Sequence, residues 1–326
     1  LGRVSSRTLA ATRPPETLTT NTTERSTRES IRNNYVVRNL VGGVRLLLTD
    51  RLTKVAFGVI VFILLLGIFG QFITPYEYDE QQFNEDGSLE RLEPPSADHW
   101  LGTTQRGEDV FSRVVYGAQP TVVTGLVGGS LIIGIGLVVG VTAGYKGGLT
   151  ETVLMRFTDF VYGVPLIPFA IVLIAFLGVG FWASILVIGV ILWRGNARVL
   201  RSQVLQIKER PYIMAAKAVG AGDLRIVMKH VLPNVARMAV LFFSLGIGFA
   251  IIFQAGLAFI GVSNPFIPSW GIMTRNAYTT GLMAQAPWWA LPPGLLISIT
   301  VLSTFLLGLG YERVSEGGAD QETAGV

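Results

Sequence analysis

Residues that could do acid–base or metal chemistry are concentrated in the segment 74–121. It holds ten acidic residues against three basic ones. Paired carboxylates can serve as general acid and general base, but no metal-ligating set accompanies these, and the two histidines, His99 and His230, are far apart in sequence. We therefore expect a solvated acidic loop that forms neither a catalytic nor a metal site.

The chain also lacks the motifs of a motor or a hydrolase. A phosphate-binding loop needs G-x-x-x-x-G-K-[ST], and none of the five lysines follows a glycine. No G-x-S-x-G is present, and without cysteine there is no thiol nucleophile or thiolate metal site. These absences predict a protein that is not an enzyme and that draws the energy for any work from elsewhere.

Long apolar runs dominate the rest of the sequence. Of the 326 residues, 50% are hydrophobic and 15% are charged, against roughly 25% charged in soluble domains. A bilayer core ~30 Å thick needs about 20 mostly apolar residues per helix. The runs predict an all-α membrane protein with six transmembrane helices, at residues 55–73, 122–143, about 160–177, about 181–193, 238–260 and 290–309.

The distribution of Lys and Arg predicts the orientation of these spans. The segment up to Lys54 has ten basic and four acidic residues, and the loop 194–237 has nine and two, whereas 261–289 holds only Arg275. Basic loops face the cytoplasm. We therefore expect a multi-pass cell-membrane protein with a largely disordered cytoplasmic tail (1–50), a transmembrane domain (51–313), an extracellular loop (74–121) and a C-terminal tail (314–326), both termini being cytoplasmic.

Charged residues are missing from the middle of the five longer spans. Proton- and sodium-driven carriers usually need buried ionisable groups, so this absence argues against such a carrier, although it leaves a channel open. Asp159 and Arg156, near the start of the third span, are predicted to form a pair at a helix end. Gln254, the lone strongly polar residue near the middle of the fifth span, could make an interhelical hydrogen bond.

Glycines in the second span indicate close helix packing. Gly125 and Gly129, Gly136 and Gly140, and Gly140 and Gly144 each stand four residues apart. This spacing lets helix backbones approach one another. The partner helix can belong to this subunit or to another, and the sequence leaves both open.

The basic segment 211–233 has residues that favour helix starts and stops at the spacing of a helix–turn–helix. Pro211 suits the first turn of a helix, Gly220 suits a left-handed stop, and the Asp223 carboxylate is expected to cap a second helix, which Pro233 should end. Each helix is too short to be stable alone. The unit therefore needs a docking surface, which could be anionic lipid or a groove in a partner protein.

This segment resembles the EAA loop of ABC importer permeases, the cytoplasmic element that docks on the ATPase. Ala215, Ala216 and Gly220 match the motif at the expected spacing, as does the "HVLPN" of residues 230–234. Met214 stands where the family usually has a glutamate. The resemblance implies that the unit lies in a cytoplasmic coupling loop, residues 206–235, and couples transport to ATP hydrolysis.

Further blocks are similar to the dipeptide/oligopeptide/nickel permeases and to their C-type subunit. These blocks are "HWLGTTQRGEDVFSRVVYGAQPT" (99–121), "FIGV" (259–262), "PSWGIM" (268–273) and "APWWALPPG" (286–294). Thr104 and Glu108 replace an Asp and an Arg that are common in that family, and "LLGLGYER" (306–313) replaces its usual "LLGDGLRD".

The resemblance implies a type I ABC importer permease and a set of partners: a second permease subunit, two ATPase subunits that bind ATP and Mg²⁺, an extracellular solute-binding protein and membrane lipid, but no nucleic acid and no cofactor in this chain. Members of the family carry peptides, nickel chelates or oligosaccharides, and nothing in the spans selects one of these; short peptides are the expected solutes. The implied ATPase-coupling residues are Tyr212, Ala215, Ala216, Lys217, Gly220, Ala221, Asp223, His230 and Pro233.

Three further positions are candidates for the path of the solute. Gln254 is a candidate pore residue, and Asn264 and Trp270 are candidates for binding-protein contact or an outer gate. Two other classes of function remain open: a stand-alone secondary carrier or channel, and a membrane scaffold that does not transport.

Overall fold

The structure is a computed structural model that describes residues 50–323, so the predicted N-terminal tail lies outside the described residues apart from its last position. The described part is helical, with only isolated antiparallel bridges, such as Thr103 with Asp109, in the segment before the second pass. Its helices in order are α1 (Arg51–Phe69), α2 (Val110–Tyr116), α3 (Ala118–Lys146), α4 (Gly148–Gly163), α5 (Leu166–Leu177), α6 (Phe181–Leu192), α7 (Arg194–Lys208), α8 (Pro211–Ala218), α9 (Asp223–Ile226), α10 (Leu232–Ile260), α11 (Trp270–Thr279) and α12 (Pro287–Thr323).

Five helical stretches in the described chain are long and apolar enough to cross a membrane, and a sixth is formed if the bent pair α4–α5 counts as one pass. The all-α membrane architecture predicted from the apolar runs is thus confirmed. In chain order the passes are α1, α2–α3, the bent pair α4–α5, α6–α7, α9–α10 and α12. The 73–109 loop separates the first two, α8 lies between α6–α7 and α9–α10, and α11 lies before α12.

The third pass is not the straight span predicted at 160–177. α4 and α5 meet at an angle of 96° because Val164 is extended (φ −83°, ψ 129°) and Pro165 follows it. Proline cannot donate an N–H to the helix, and it disfavours helical geometry in the residue before it. The twelve residues of α5 reach only ~18 Å, less than a bilayer core.

The fourth pass is longer than the predicted 181–193. Trp193 keeps helical angles (φ −63°, ψ −23°), so α6 runs on into α7 as far as Lys208. α7 is polar and carries arginines, whereas α6 is apolar. This pass therefore projects a polar extension beyond its apolar half.

The fifth pass begins earlier than predicted, and Pro233 does not end the preceding helix. α9 leads through a π-helical turn (Val227–Val231) directly into α10, where Pro233 occupies the first turn. In a regular α-helix the ring would clash with the carbonyl four residues earlier. The wider π turn, closed by the Leu232 N–H on the Val227 carbonyl, carries the chain past the proline.

α3 is the central helix, and its glycines bring neighbouring backbones close. A Cβ on Gly129 would lie 3.0 Å from the Ile247 backbone nitrogen, and one on Gly140 would lie 2.6 Å from the Ala197 carbonyl oxygen. The first contact is with α10 and the second with α7. Of the two alternatives for these glycines, packing inside the subunit is confirmed.

Candidate functional site

The candidate site is the α8–α9 unit, defined as residues 211–233. α8 begins at Pro211 and ends where Gly220 takes φ +80°. The Ala221 N–H donates to the Ala216 carbonyl at 3.0 Å, and the Gly220 N–H donates to that of Lys217 at 2.9 Å. These bonds satisfy the last carbonyls of the helix, and they confirm the predicted glycine stop.

The second start differs from the prediction, because Asp223 does not cap α9. The N-cap position is Gly222, and no side chain bonds there. The Oδ1 of Asp223 instead accepts a hydrogen bond from the Tyr145 hydroxyl at 2.8 Å. Sequence reasoning missed Tyr145, which lies 78 positions away in the last turn of α3; an aromatic residue just before a Gly-Gly turn was the only available signal.

The inner face of the unit packs on its own chain. Ile213, Ile226 and Val231 are fully buried in one cluster with Tyr145 of α3 and with residues of α7 that include Leu200. The rings of Tyr212 and His230 also meet, with centroids 6.1 Å apart. Helices that would be unstable alone are thus held by the ends of α3 and α7.

The outer face of the unit exposes large apolar side chains. Val219 is 84% exposed, Leu224 76%, Met228 59% and Met214 54%. None of these four was among the predicted coupling residues, although large apolar residues beside helix breaks in a basic loop were a usable signal. Exposed apolar clusters rimmed by polar residues mark interaction surfaces.

Basic and small residues complete this outer face. The exposed members of the predicted coupling set are Tyr212, Ala215, Lys217, Gly220, Asp223 and Pro233, while Ala216, Ala221 and His230 are half-buried. Arg225 and Lys229 are exposed beside them. The surface therefore combines apolar contacts with positive charge.

An arginine ladder attaches α4 to α7 near this unit. Arg201 pairs with Glu151, Arg198 pairs with Asp159, and the Nη1 of Arg194 donates to the Val161 carbonyl at 2.8 Å. The predicted Asp159–Arg156 pair is therefore wrong. Spacing of three along one helix suggested it, but Asp159 pairs across the helix interface with Arg198.

Gln254 fits neither of its two predicted roles within this chain. It is only 4% exposed, and its Nε2 has no hydrogen-bond partner among the described residues. The Oγ1 of Thr124, on the α3 helix that packs against α10, is likewise buried without a partner in the described part. Two polar groups thus lie in an apolar helix interface with unused hydrogen-bonding capacity.

At the opposite end of the bundle, Trp270 is buried and not available to a soluble partner. It is fully enclosed, and its Nε1 donates to the Val114 carbonyl at 2.8 Å. The indole lies against Gly117, where a Cβ would come within 2.6 Å of it. This placement does not fit a direct contact between Trp270 and a binding protein. Asn264 accepts a 2.9 Å hydrogen bond from the backbone N–H of Phe266, whose side chain is 80% exposed.

The acidic loop before the second pass is not simply solvated, as predicted; it has a buried centre. The Nδ1 of His99 lies 2.9 Å from the Oδ1 of Asp109, and its Nε2 lies 2.8 Å from the Oε2 of Glu90. The His99 ring therefore links these two carboxyl groups of the loop. Asp109 also caps α2 through the Ser112 N–H at 2.7 Å.

The two departures from the family pattern in this loop contact each other. Glu108 forms a 2.6 Å ion pair with Arg113 and accepts the Thr104 hydroxyl at 2.9 Å, all three being buried. Burial and the surrounding carboxylates, Asp109 first, raise the pKa of Tyr76, whose ring lies against His99. Among residues 50–323, no three His, Cys, Asp or Glu side chains are grouped to hold a metal ion.

Comparison with known proteins relates the chain to transport proteins. Residues 136–314 match the family "Binding-protein-dependent transport system inner membrane component", and residues 44–95 match the N-terminal TM domain of oligopeptide transport permease C. The chain is 34% identical to the dipeptide transport system permease protein DppC of Bacillus subtilis, over 82% of each chain. It is 36% identical to the glutathione transport system permease protein GsiD of Pectobacterium atrosepticum (78% of this chain, 84% of the relative) and 31% identical to the oligopeptide transport system permease protein OppC of B. subtilis (80% and 84%).

Proposed function

The chain belongs to the family of binding-protein-dependent transport system inner membrane components, and from this premise we propose that its α8–α9 unit is where an ATPase subunit docks. It is a multi-pass membrane permease subunit of an ATP-binding-cassette importer. This membership supports the importer and not the stand-alone carrier, channel or scaffold.

The observation that carries the docking proposal is the outer face of the unit. Val219, Leu224 and Met228 are exposed on a small, basic element whose inner face is already satisfied. A partner groove would bury these side chains, and each fully buried apolar side chain contributes about 1.5–3 kcal/mol. Met214 extends the apolar face at the position where the family usually has a glutamate, so we infer an apolar contact there and not an ion pair.

The continuous helix from α9 to α10 supplies the means of coupling. ATP binding and hydrolysis in the ATPases displace the docked unit, and no loop separates the unit from the fifth pass. A displacement of the unit therefore moves α10 directly. In this scheme ATP and Mg²⁺ bind to the ATPases, and this chain holds no cofactor of its own.

The complete importer is proposed to contain a second permease, two ATPases and an extracellular solute-binding protein. The unit then faces the cytoplasm, and the His99 loop faces the binding protein. Asn264 and Phe266 are the candidate contacts on that side, and Gln254 faces the path only if the second permease or a change of state opens the packing around it. Peptides are the proposed solutes, because the relatives are named for dipeptide, oligopeptide and glutathione transport.

Cross-linking tests the docking site, and the absence of cysteine in the chain makes every engineered thiol unique. In the complex expressed with its own ATPases, Val219→Cys should cross-link to an ATPase. Val179→Cys is a matched control, since it is also exposed but lies in the α5–α6 turn at the other end of the bundle. Equal cross-linking from both positions, or none from Val219→Cys in a complex that transports, would contradict the proposal.

A further inference from the structure

Tyr145, at the end of α3, contacts both helices of the α8–α9 unit. Its hydroxyl donates to the Oδ1 of Asp223, at the start of α9, over 2.8 Å. The ammonium of Lys217, in the last turn of α8, lies 5.5 Å from the centroid of its ring. One side chain, 7% exposed, thus contacts both helices of the unit.

The hydrogen bond differs in kind from the other contacts that hold the unit. Ile213, Ile226 and Val231 are held by apolar burial, which is non-directional and tolerates sliding. A phenol that donates to a carboxylate is charge-assisted and directional. The position of α9 along α3 is therefore fixed by the Tyr145–Asp223 bond more sharply than by the apolar cluster.

Tyr145 also stands at a junction of passes. Two residues later Gly147 takes φ +67° and the chain turns into α4, which the arginine ladder attaches to α7. A Cβ on the neighbouring Gly144 would lie 2.9 Å from the Arg201 carbonyl of α7. The end of α3 that Tyr145 occupies is thus held closely to α7, while Asp223 belongs to the helix that becomes α10.

We propose that Tyr145 is a positioning residue for energy coupling: its bond to Asp223 makes α3 and α10 move together when the docked unit is displaced. Without the bond, the unit can slide on its apolar face and part of the displacement is lost. This inference rests on the proposed docking function and adds a residue that acts through Asp223 without contacting ATPase, ATP or solute.

The test uses the complete importer in proteoliposomes with its binding protein and solute. Tyr145→Phe removes only the hydroxyl, and it should lower the solute transported per ATP hydrolysed several-fold while ATP hydrolysis continues. Tyr278→Phe is the matched control, because Tyr278 is 61% exposed and its hydroxyl makes no hydrogen bond within residues 50–323. Its ratio should equal that of the unmodified protein.

The amount of solute transported per ATP hydrolysed distinguishes a positioning role of Tyr145 from a role in folding. A merely structural role for Tyr145 would reduce hydrolysis and uptake together, per assembled complex, and would leave the ratio unchanged; that result overturns the inference. Asp223→Asn keeps a carbonyl acceptor, so its transport per ATP hydrolysed should fall only in part. Asp223→Ala removes the acceptor and should lower transport per ATP hydrolysed as much as Tyr145→Phe does. The double variant should be no worse than either single variant, and additive losses would contradict a shared bond.

Failure of the inference and failure of the docking proposal are distinguishable. If Val219→Cys cross-links to an ATPase and Tyr145→Phe transports with an unchanged ratio, the docking site stands and the positioning role is wrong. If Val219→Cys fails to cross-link in a transporting complex, the docking site is wrong, and the positioning role falls with it.

Discussion

Gly220 ends α8 with φ +80°, and nothing lies within 4 Å of the position where a Cβ would stand. Gly222, two residues on, has the same open space but an ordinary extended conformation (φ −67°, ψ 149°). The two glycines therefore differ in backbone conformation and not in the space available for a side chain. Substitutions at the two positions can distinguish backbone strain from steric crowding.

We expect Gly220→Val to cost about 1–2 kcal/mol of backbone strain and to displace the turn, so that uptake falls while membrane insertion is retained. Gly222→Val should transport nearly normally, because its angles suit a β-branched residue. The measurements are uptake and recovery of ATPase with the purified permease. Normal coupling in Gly220→Val would show that the left-handed stop does not position the docking face.

Gln254 gives a second prediction at this scale. A buried polar group without a partner costs about 1–3 kcal/mol, so Gln254→Met, of similar length, should raise the midpoint of thermal unfolding of the purified chain. Leu257→Met, also buried on α10, serves as the control for repacking. A lower midpoint in Gln254→Met alone would show that the amide has a partner, and a loss of uptake with a raised midpoint would support the pore role.

At the scale of elements, α3 holds the bundle together through its glycines. A Cβ at Gly140 would meet the Ala197 carbonyl at 2.6 Å, whereas Gly134 on the same helix has nothing within 4 Å. We expect Gly140→Ala to destabilise the protein by about 1–3 kcal/mol through overpacking. Gly134→Ala should be neutral or stabilising by up to ~1 kcal/mol, since alanine is the better helix former; thermal unfolding in detergent checks both.

The loop around His99 is an element that the sequence did not reveal. His99→Ala removes the ring that links Glu90 to the buried Asp109, so protease cleavage within 74–109 should accelerate several-fold in membranes that expose this face. Glu85→Gln, on the exposed side of the same loop, is the control. Equal cleavage rates would show that His99 does not hold the loop.

Two prolines show what sequence can and cannot settle about elements. The rule that proline interrupts a helix was applied at Pro233 and not at Pro165, yet Pro165 breaks the third pass by 96° while Pro233 lies within the fifth. The outcome depends on whether the preceding turn widens into a π turn. That choice is made by tertiary packing around Ile226 and Val231, which no local pattern reports.

At the scale of the whole molecule, the passes and the family followed from the sequence because both depend on composition and on contiguous motifs. The left-handed glycine of α8 followed for the same reason. The Tyr145–Asp223, His99–Glu90 and Arg198–Asp159 contacts did not, since each joins residues that are distant in sequence or lie on different elements. Their residue types were visible, but their pairing was not.

The alternation of basic and acidic loops predicts the orientation of the entire chain. Lys146→Cys, exposed at the end of α3, should react with a membrane-impermeant maleimide only after cells are permeabilised, whereas Val179→Cys should react in intact cells. Both residues are exposed at opposite ends of the bundle, which makes them a matched pair. The reverse pattern would invert the predicted topology and would place the α8–α9 unit outside.

The unbroken helix from α9 to α10 has a mechanical consequence. Gly129 of α3 meets it at Ile247, ~36 Å from its start at Asp223 and ~20 Å from its end at Ile260 at 1.5 Å per residue. The Tyr145–Asp223 bond holds the same helix to α3 at its start as well, and two contacts oppose rotation of one helix against the other. Displacing the docked end should therefore tilt α3 and α10 as one rigid pair, and the tilt reaches the end of α10 that continues ~20 Å beyond Ile247.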